Sequence, residues 1–191
     1  MNILKLIIIL LFSITNGVSA MESMMGNISL NDQTYKSLNI MGTAKLNNVI
    51  IEEDLKVVGP SELKNNCKIQ GSVNLIGPLK ATGIVINSGK VVGPFEATDL
   101  NVEKELLLVG PVECKRCKFN SQLVITAKKC TFKDSELASL LVKEDGEKKK
   151  QYVYLEGKTV VHGDVVVEQA DAEVVVEKGA RVEGKIIKGK K

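Results

Sequence analysis

Every proline in the chain follows a glycine. The four dipeptides Gly59-Pro60, Gly77-Pro78, Gly93-Pro94 and Gly110-Pro111 place their prolines 18, 16 and 17 residues apart, each after a short aliphatic run: LKVVGP, VNLIGP, KVVGP and LLLVGP. Taking each glycine as a corner, the residues four and two before it are Leu55 and Val57, Val73 and Leu75, Gly89 and Val91, Leu106 and Leu108. The same offset precedes Gly42 as Leu38 and Ile40, and Ala127 as Leu123 and Ile125. Past the corner come Ala44 with Leu46, Ser61 with Leu63, Leu79 with Ala81, Phe95 with Ala97, and Val112 with Cys114. A third column reads Val49 with Ile51, Cys67 with Ile69, Ile84 with Ile86, Leu100 with Val102, Cys117 with Phe119, and Cys130 with Phe132.

Alternation with a period of two puts each pair on one face of a strand. Three short strands per repeat of about 17 residues predict an all-β fold. Its form is a single-stranded triangular β-solenoid, of which the right-handed β-helix is the favoured kind. Successive coils then stack at about 4.8 Å, and the inward columns merge into one core. Glycine reaches the backbone angles of a sharp bend, and proline at a vertex removes an N–H that a strand ladder would otherwise have to satisfy. A β-sandwich also punctuates short strands with turns, but gives no reason for three apolar columns to keep register over five periods.

After Cys130 the register loosens, and a charged loop is expected near residues 143–151. A second block starts at Tyr152, where Leu155, Val161 and Val165 recur 21 residues later as Val176, Val182 and Ile186. About seven coils are expected over residues 38–187, with 21–37 as an N-terminal cap or irregular segment and 188–191 as a Lys-rich tail.

The stretch MNILKLIIILLFSITNGVSA carries one early cation, Lys5, an apolar run from Leu6 to Ile14, and small residues before position 21. That layout is a secretory signal over residues 1–20. It predicts a periplasmic or secreted location, with no integral membrane segment once the signal is removed. Without Lys5 the chain holds 25 cations against 23 anions, too slight an excess to predict a nucleic-acid partner.

In the second block, VVHGDVVVE and RVEGKII place aliphatic residues on both sides of a V-x-G-x-[VI] core. Over residues 152–187 this resembles the bactofilins, bacterial polymer-forming scaffold proteins. The resemblance implies a right-handed triangular β-helix that associates end to end, with no cofactor. It carries over Val161, Gly163, Val165, Val182, Gly184 and Ile186 as coil-forming positions and none as catalytic. The export signal, the Gly-Pro corners and the four cysteines depart from that family.

Cys114 and Cys117 form a CKRC motif, a spacing shared by redox pairs and half zinc sites. In the solenoid register the pair straddles a corner, and Cys67, the fourth ligand a zinc site needs, lies about three coils or ~14 Å away. Cys117 and Cys130 are expected in one column of adjacent coils, within reach of a disulfide; buried free thiols are the alternative. His162, the only histidine, alternates with inward Val161 and is expected outward beside Glu183. Phe95, Phe119 and Phe132 are expected in the core, and the chain has no tryptophan with which to build a sugar platform. Neither a metal nor a catalytic site is expected. The sequence therefore points to an exported structural scaffold that self-associates end to end or joins a cell-envelope component. A monomeric binding module using flat solenoid faces is the alternative, followed by an envelope enzyme.

Overall fold

A computed structural model describes residues 21–146 and 150–189; the expected signal, residues 1–20, lies outside them. All regular structure among the described residues is β-strand, and every strand pairing is parallel. The pairings form three continuous ladders, one per side of a triangular solenoid. On the first side, Leu38, Leu55, Val73, Gly89, Leu106, Leu123 and Leu140 stack in register. The second side stacks Ala44, Ser61, Leu79, Phe95, Val112, Cys130 and Val153. The third stacks Ile51, Ile69, Ile86, Val102, Phe119, Leu137 and Val161.

Alternation of burial follows the pleat. In Leu55–Val58 the leucine and Val57 are buried while Lys56 and Val58 are exposed, and Leu38, Ile51 and Phe132 are wholly inaccessible. Each such aliphatic side chain contributes about 1.5–3 kcal/mol relative to its exposed state. The core is one uninterrupted column because each coil seals the faces of its neighbours.

The corner between the first and second sides is a glycine stack. Gly42, Gly59, Gly77, Gly93 and Gly110 all have φ between 126° and 141°. A Cβ on Gly59 would lie 2.2 Å from the Gly42 carbonyl oxygen. The prolines that follow keep the ladder through their carbonyls: Pro60, Pro78, Pro94 and Pro111 accept from the N–H groups of Ala44, Ser61, Leu79 and Phe95. A second stacked corner, between the second and third sides, holds Asp32, Asn48, Asn65, Asp99, Arg116 and Asp134 at φ from 51° to 54°, with Gly83 at 62°. Short side chains that bond locally, and glycine, tolerate this left-handed region best, so Arg116 is the exception.

Three expectations are corrected. Residues 21–37 are neither a cap nor irregular: Glu22–Asn31 pairs residue for residue with Leu38–Asn47, and Thr34–Tyr35 pairs with Ile50–Ile51. Glu136–Lys143 likewise spans the third side and the next first side. The solenoid consequently has about 10 turns rather than seven, with ten rungs on the first side and nine on each of the others. Lys188 is a strand residue whose Nζ donates to the Ala172 carbonyl at 2.7 Å, so strand structure runs into the expected tail. The 21-residue repeat holds as read: Leu155, Val161 and Val165 pair with Val176, Val182 and Ile186.

Beyond coil seven the corner position is taken by longer connections, whose described residues 144–146 and 150–151 meet those of 168–173. The Glu144 N–H donates to Glu168, and Lys150 Nζ donates to Glu173 at 2.7 Å. Buried Gln151 closes the first connection by donating to the carbonyls of Ala127 and Lys143.

Candidate functional site

Four places could carry chemistry or contact: the thiols, the histidine, a depression at the second corner, and the ends of the rod. The thiols were grouped by spacing, and the structure regroups them. Cys117 opens a third side, and its backbone N–H donates to Ser135 Oγ of the next coil at 3.0 Å. Cys130 opens a second side, stacked between Val112 and Val153. Cys117 and Cys130 therefore do not share a column, and all four cysteines are free and buried. The look-alike triplets Cys-Lys-Phe and Cys-Thr-Phe belong to different sides, because a complete first-side strand, Leu123 to Thr126, separates them.

Burial holds Cys67 and Cys114 above the ordinary thiol range and pushes Cys130 up to about 12. Cys117 donates to the Lys115 and Ala97 carbonyls at 3.4 and 3.5 Å. The two thiols of the CKRC motif are hydrogen-bonded to each other, which lowers the Cys117 pKa, while the raised thiols of Cys67, Cys114 and Cys130 serve as small hydrophobes rather than nucleophiles. Ile84 and Leu100 intervene between Cys67 and Cys117 in the third column, as the three-coil separation requires.

His162 points outward as expected, and it is held from both sides. Its Nδ1 lies 2.8 Å from Glu183 Oε2 and its Nε2 lies 3.0 Å from Glu136 Oε1. Glu183 was anticipated; Glu136, one coil below, was not, since its strand had no assigned side. These contacts raise the His162 pKa, Glu183 first and Glu136 second, and hydrogen bonding to the ring lowers both carboxyls. Lys118 and Arg181 extend the row at 3.4 and 3.1 Å. With both ring nitrogens engaged, the histidine is a rung of a surface charge ladder.

An open depression at the second corner is lined by Arg116, Cys117, Lys118, Asp134, Glu136 and Lys158. Its charges face each other: Arg116 grips Asp99 through Nε and Nη2 at 2.7 and 2.8 Å, and Asp134 accepts the Lys158 N–H at 3.0 Å. No group of three or more histidine, cysteine or acidic side chains among the described residues is placed to hold a metal. No helix there is long and apolar enough to cross a membrane.

The ends differ from everything between them. In the first coil Met24, Ile28, Leu30 and Tyr35 occupy inward columns yet are only half-buried. In the last coil Val174 and Val182 are half-buried, while Val176 and Ile186 are 38% and 42% exposed. Equivalent positions inside the rod, such as Ile40, Leu46 and Ile51, are at most 1% exposed. Among the described residues, each end also presents strand edges with no further coil to pair with. Compared with known proteins, the chain matches no family model, no curated protein and no solved structure.

Proposed function

We propose that the protein is an exported structural scaffold that assembles end to end, each copy continuing the solenoid of the last. The observation carrying this reading is the state of the ends: among the described residues neither is covered by a capping element, and both present apolar columns and open strand edges. Open edges template pairing with another chain unless they are blocked. The bactofilin-like pattern over residues 152–187 and the expected signal support the same reading.

Charge favours opposite ends meeting. Residues 21–37 carry one lysine against Glu22 and Asp32, whereas residues 172–189 carry four cations against three carboxylates. Counting side chains alone, head-to-tail contact joins a net −1 to a net +1, and the amino group that signal removal frees at Met21 offsets part of the first. The step at each end also fixes an orientation. The first coil begins on the first side, and the last rung, Ile186–Lys188, is again on the first side. A gapless junction therefore seats residues 22–25 on Glu173–Val176, residues 27–31 on Arg181–Val182, and Thr34–Tyr35 on Ile186–Lys188. Each added copy is turned by one side of the triangle, about a third of a revolution, apart from any coil twist.

Light scattering over a concentration series tests the reading. The protein should grow in mass with concentration, and Leu30→Lys or Val182→Lys, each blocking one end, should stop growth. A monomeric mass at every concentration would sink it.

A further inference from the structure

The residue just before each corner glycine points to solvent, and it is aliphatic in six successive coils: Met25, Met41, Val58, Ile76, Val92 and Val109. The first four are 77%, 53%, 51% and 51% exposed, and the last two are half-buried. Stacked at ladder spacing they make a stripe about 24 Å long, bordered across the glycines by the four exposed corner prolines. The core does not account for it, because the inward column of the same strands is already filled by Ile40, Val57, Leu75, Val91 and Leu108. Nor is it the habit of this face: over the same six coils the other outward column reads Ser23, Asn39, Lys56, Asn74 and Lys90, and turns aliphatic only at Leu107. A continuous exposed apolar row marks an interaction surface.

We propose that this stripe is a lateral docking surface for a second copy of the chain, pairing rods side by side. The charges flanking it identify the occupant. Along the second side, the outward column beside the prolines reads Lys45, Glu62, Lys80 and Glu96. Two antiparallel rods laid stripe on stripe, with a two-fold axis between the coils of Val58 and Ile76, seat Val58 on the partner's Ile76 and Met41 on the partner's Val92. The same placement sets Lys45 opposite the partner's Glu96 and Glu62 opposite the partner's Lys80. Sliding by half a coil-pair in either direction sets Lys80 on the partner's Lys80 or Glu62 on the partner's Glu62. Parallel rods in register also meet without like charges, with Lys56 on the partner's Glu62 and Lys90 on the partner's Glu96. A bilayer is the poorer match, because the flanks mix four lysines, Lys45, Lys56, Lys80 and Lys90, with three glutamates, Glu62, Glu96 and Glu113, and so present no single-sign surface to anionic headgroups.

The contact is small. At a width of roughly 15 Å it covers on the order of 400 Å² per rod, about half of what a standard stable interface uses. Single rods therefore pair weakly, and pairing strengthens where rods are joined in line and the contact repeats. The stripe is independent of the ends, so lateral pairing does not require end-to-end growth.

Oxidative cross-linking of the full chain tests this, with Val58→Cys and Ile76→Cys made separately and Lys68→Cys, outward on the third side, as the control. A Val58→Cys and Ile76→Cys mixture should give a disulfide dimer if rods are antiparallel, and Val58→Cys alone if they are parallel. Either should exceed the Lys68→Cys yield by roughly tenfold, reflecting the local concentration that docking supplies. Introducing Leu30→Lys and Val182→Lys should leave that cross-link intact, separating this result from the fate of end-to-end assembly. Yields no higher than the control overturn the proposal. So does flotation of the protein with phosphatidylglycerol vesicles that is lost in Val58→Lys/Ile76→Lys, without any stripe cross-link.

Discussion

Replacing Gly77 by alanine perturbs one atom at the place where the coils lie closest. Gly77 sits at φ 133°, a conformation costing a residue with a Cβ about 1–3 kcal/mol. The added Cβ would also lie 2.5 Å from the Gly59 carbonyl oxygen, where ordinary contact begins at 3.4 Å, so the coils must part locally by roughly 1 Å. Parting them stretches two bonds across the same junction, Gly59 N–H to Ile76 O and Ser61 N–H to Pro78 O, both 2.8 Å. At about 0.5–1.5 kcal/mol each, their loss brings the total to about 2–6 kcal/mol. Gly83 is the internal control: it too has positive φ, at 62°, but nothing lies within 4 Å of its Cβ position. Gly83→Ala should cost only about 1–2 kcal/mol, the left-handed strain alone. Urea unfolding followed by circular dichroism reads both. Equal losses at the two sites would refute the stacked-backbone account of the glycine column.

Three further outcomes follow from the core, the charge ladder and the thiols. Phe132 is fully buried and meets Phe119 edge to face at 6.2 Å, so Phe132→Ala should cost about 3–5 kcal/mol in the same assay. The His162 ring should titrate above its ordinary 6.5 by NMR, and Glu183→Gln should lower the midpoint more than Glu136→Gln. A raised histidine stabilises below its unfolded pKa and loses that contribution as pH rises through the folded value; the two lowered carboxyls stabilise above theirs and lose it as pH falls. Both contributions are thus complete together only between pH 4.5 and 6.5, the ordinary values of the groups, and a stability optimum from this cluster outside that window contradicts it. All four thiols should resist a water-soluble thiol reagent until the protein unfolds, and fast labelling of any one in the native protein contradicts its burial.

The Gly-Pro corner and the three apolar columns were readable because each demands a narrow residue set. Only glycine fits a backbone stacked within contact distance at positive φ, and inward positions must be apolar. The second corner was not readable by letter, since its left-handed position is filled by Asp32, Asn48, Gly83, Arg116 or Asp134 in different coils. The first coil escaped notice because it sets Met24, Ile28 and Leu30 among polar residues such as Ser23, Asn27, Ser29 and Asn31 and carries no Gly-Pro corner. The Cys117 and Cys130 pairing failed because two Cys-x-Phe triplets on different sides look alike, and only counting a whole intervening side separates them. Runs such as VVGP and LIGP looked like single aliphatic units. The fold splits each into one buried residue and one facing solvent, and the second kind makes the stripe.

Electron microscopy of the purified protein over a concentration series tests end-to-end assembly most directly. Nine and a third turns at about 4.8 Å give each copy roughly 45 Å of axial rise. Filaments with that axial repeat, copies turned successively by about a third of a revolution, and a 4.8 Å layer line are the predicted result. Short separate rods of one length at every concentration contradict it.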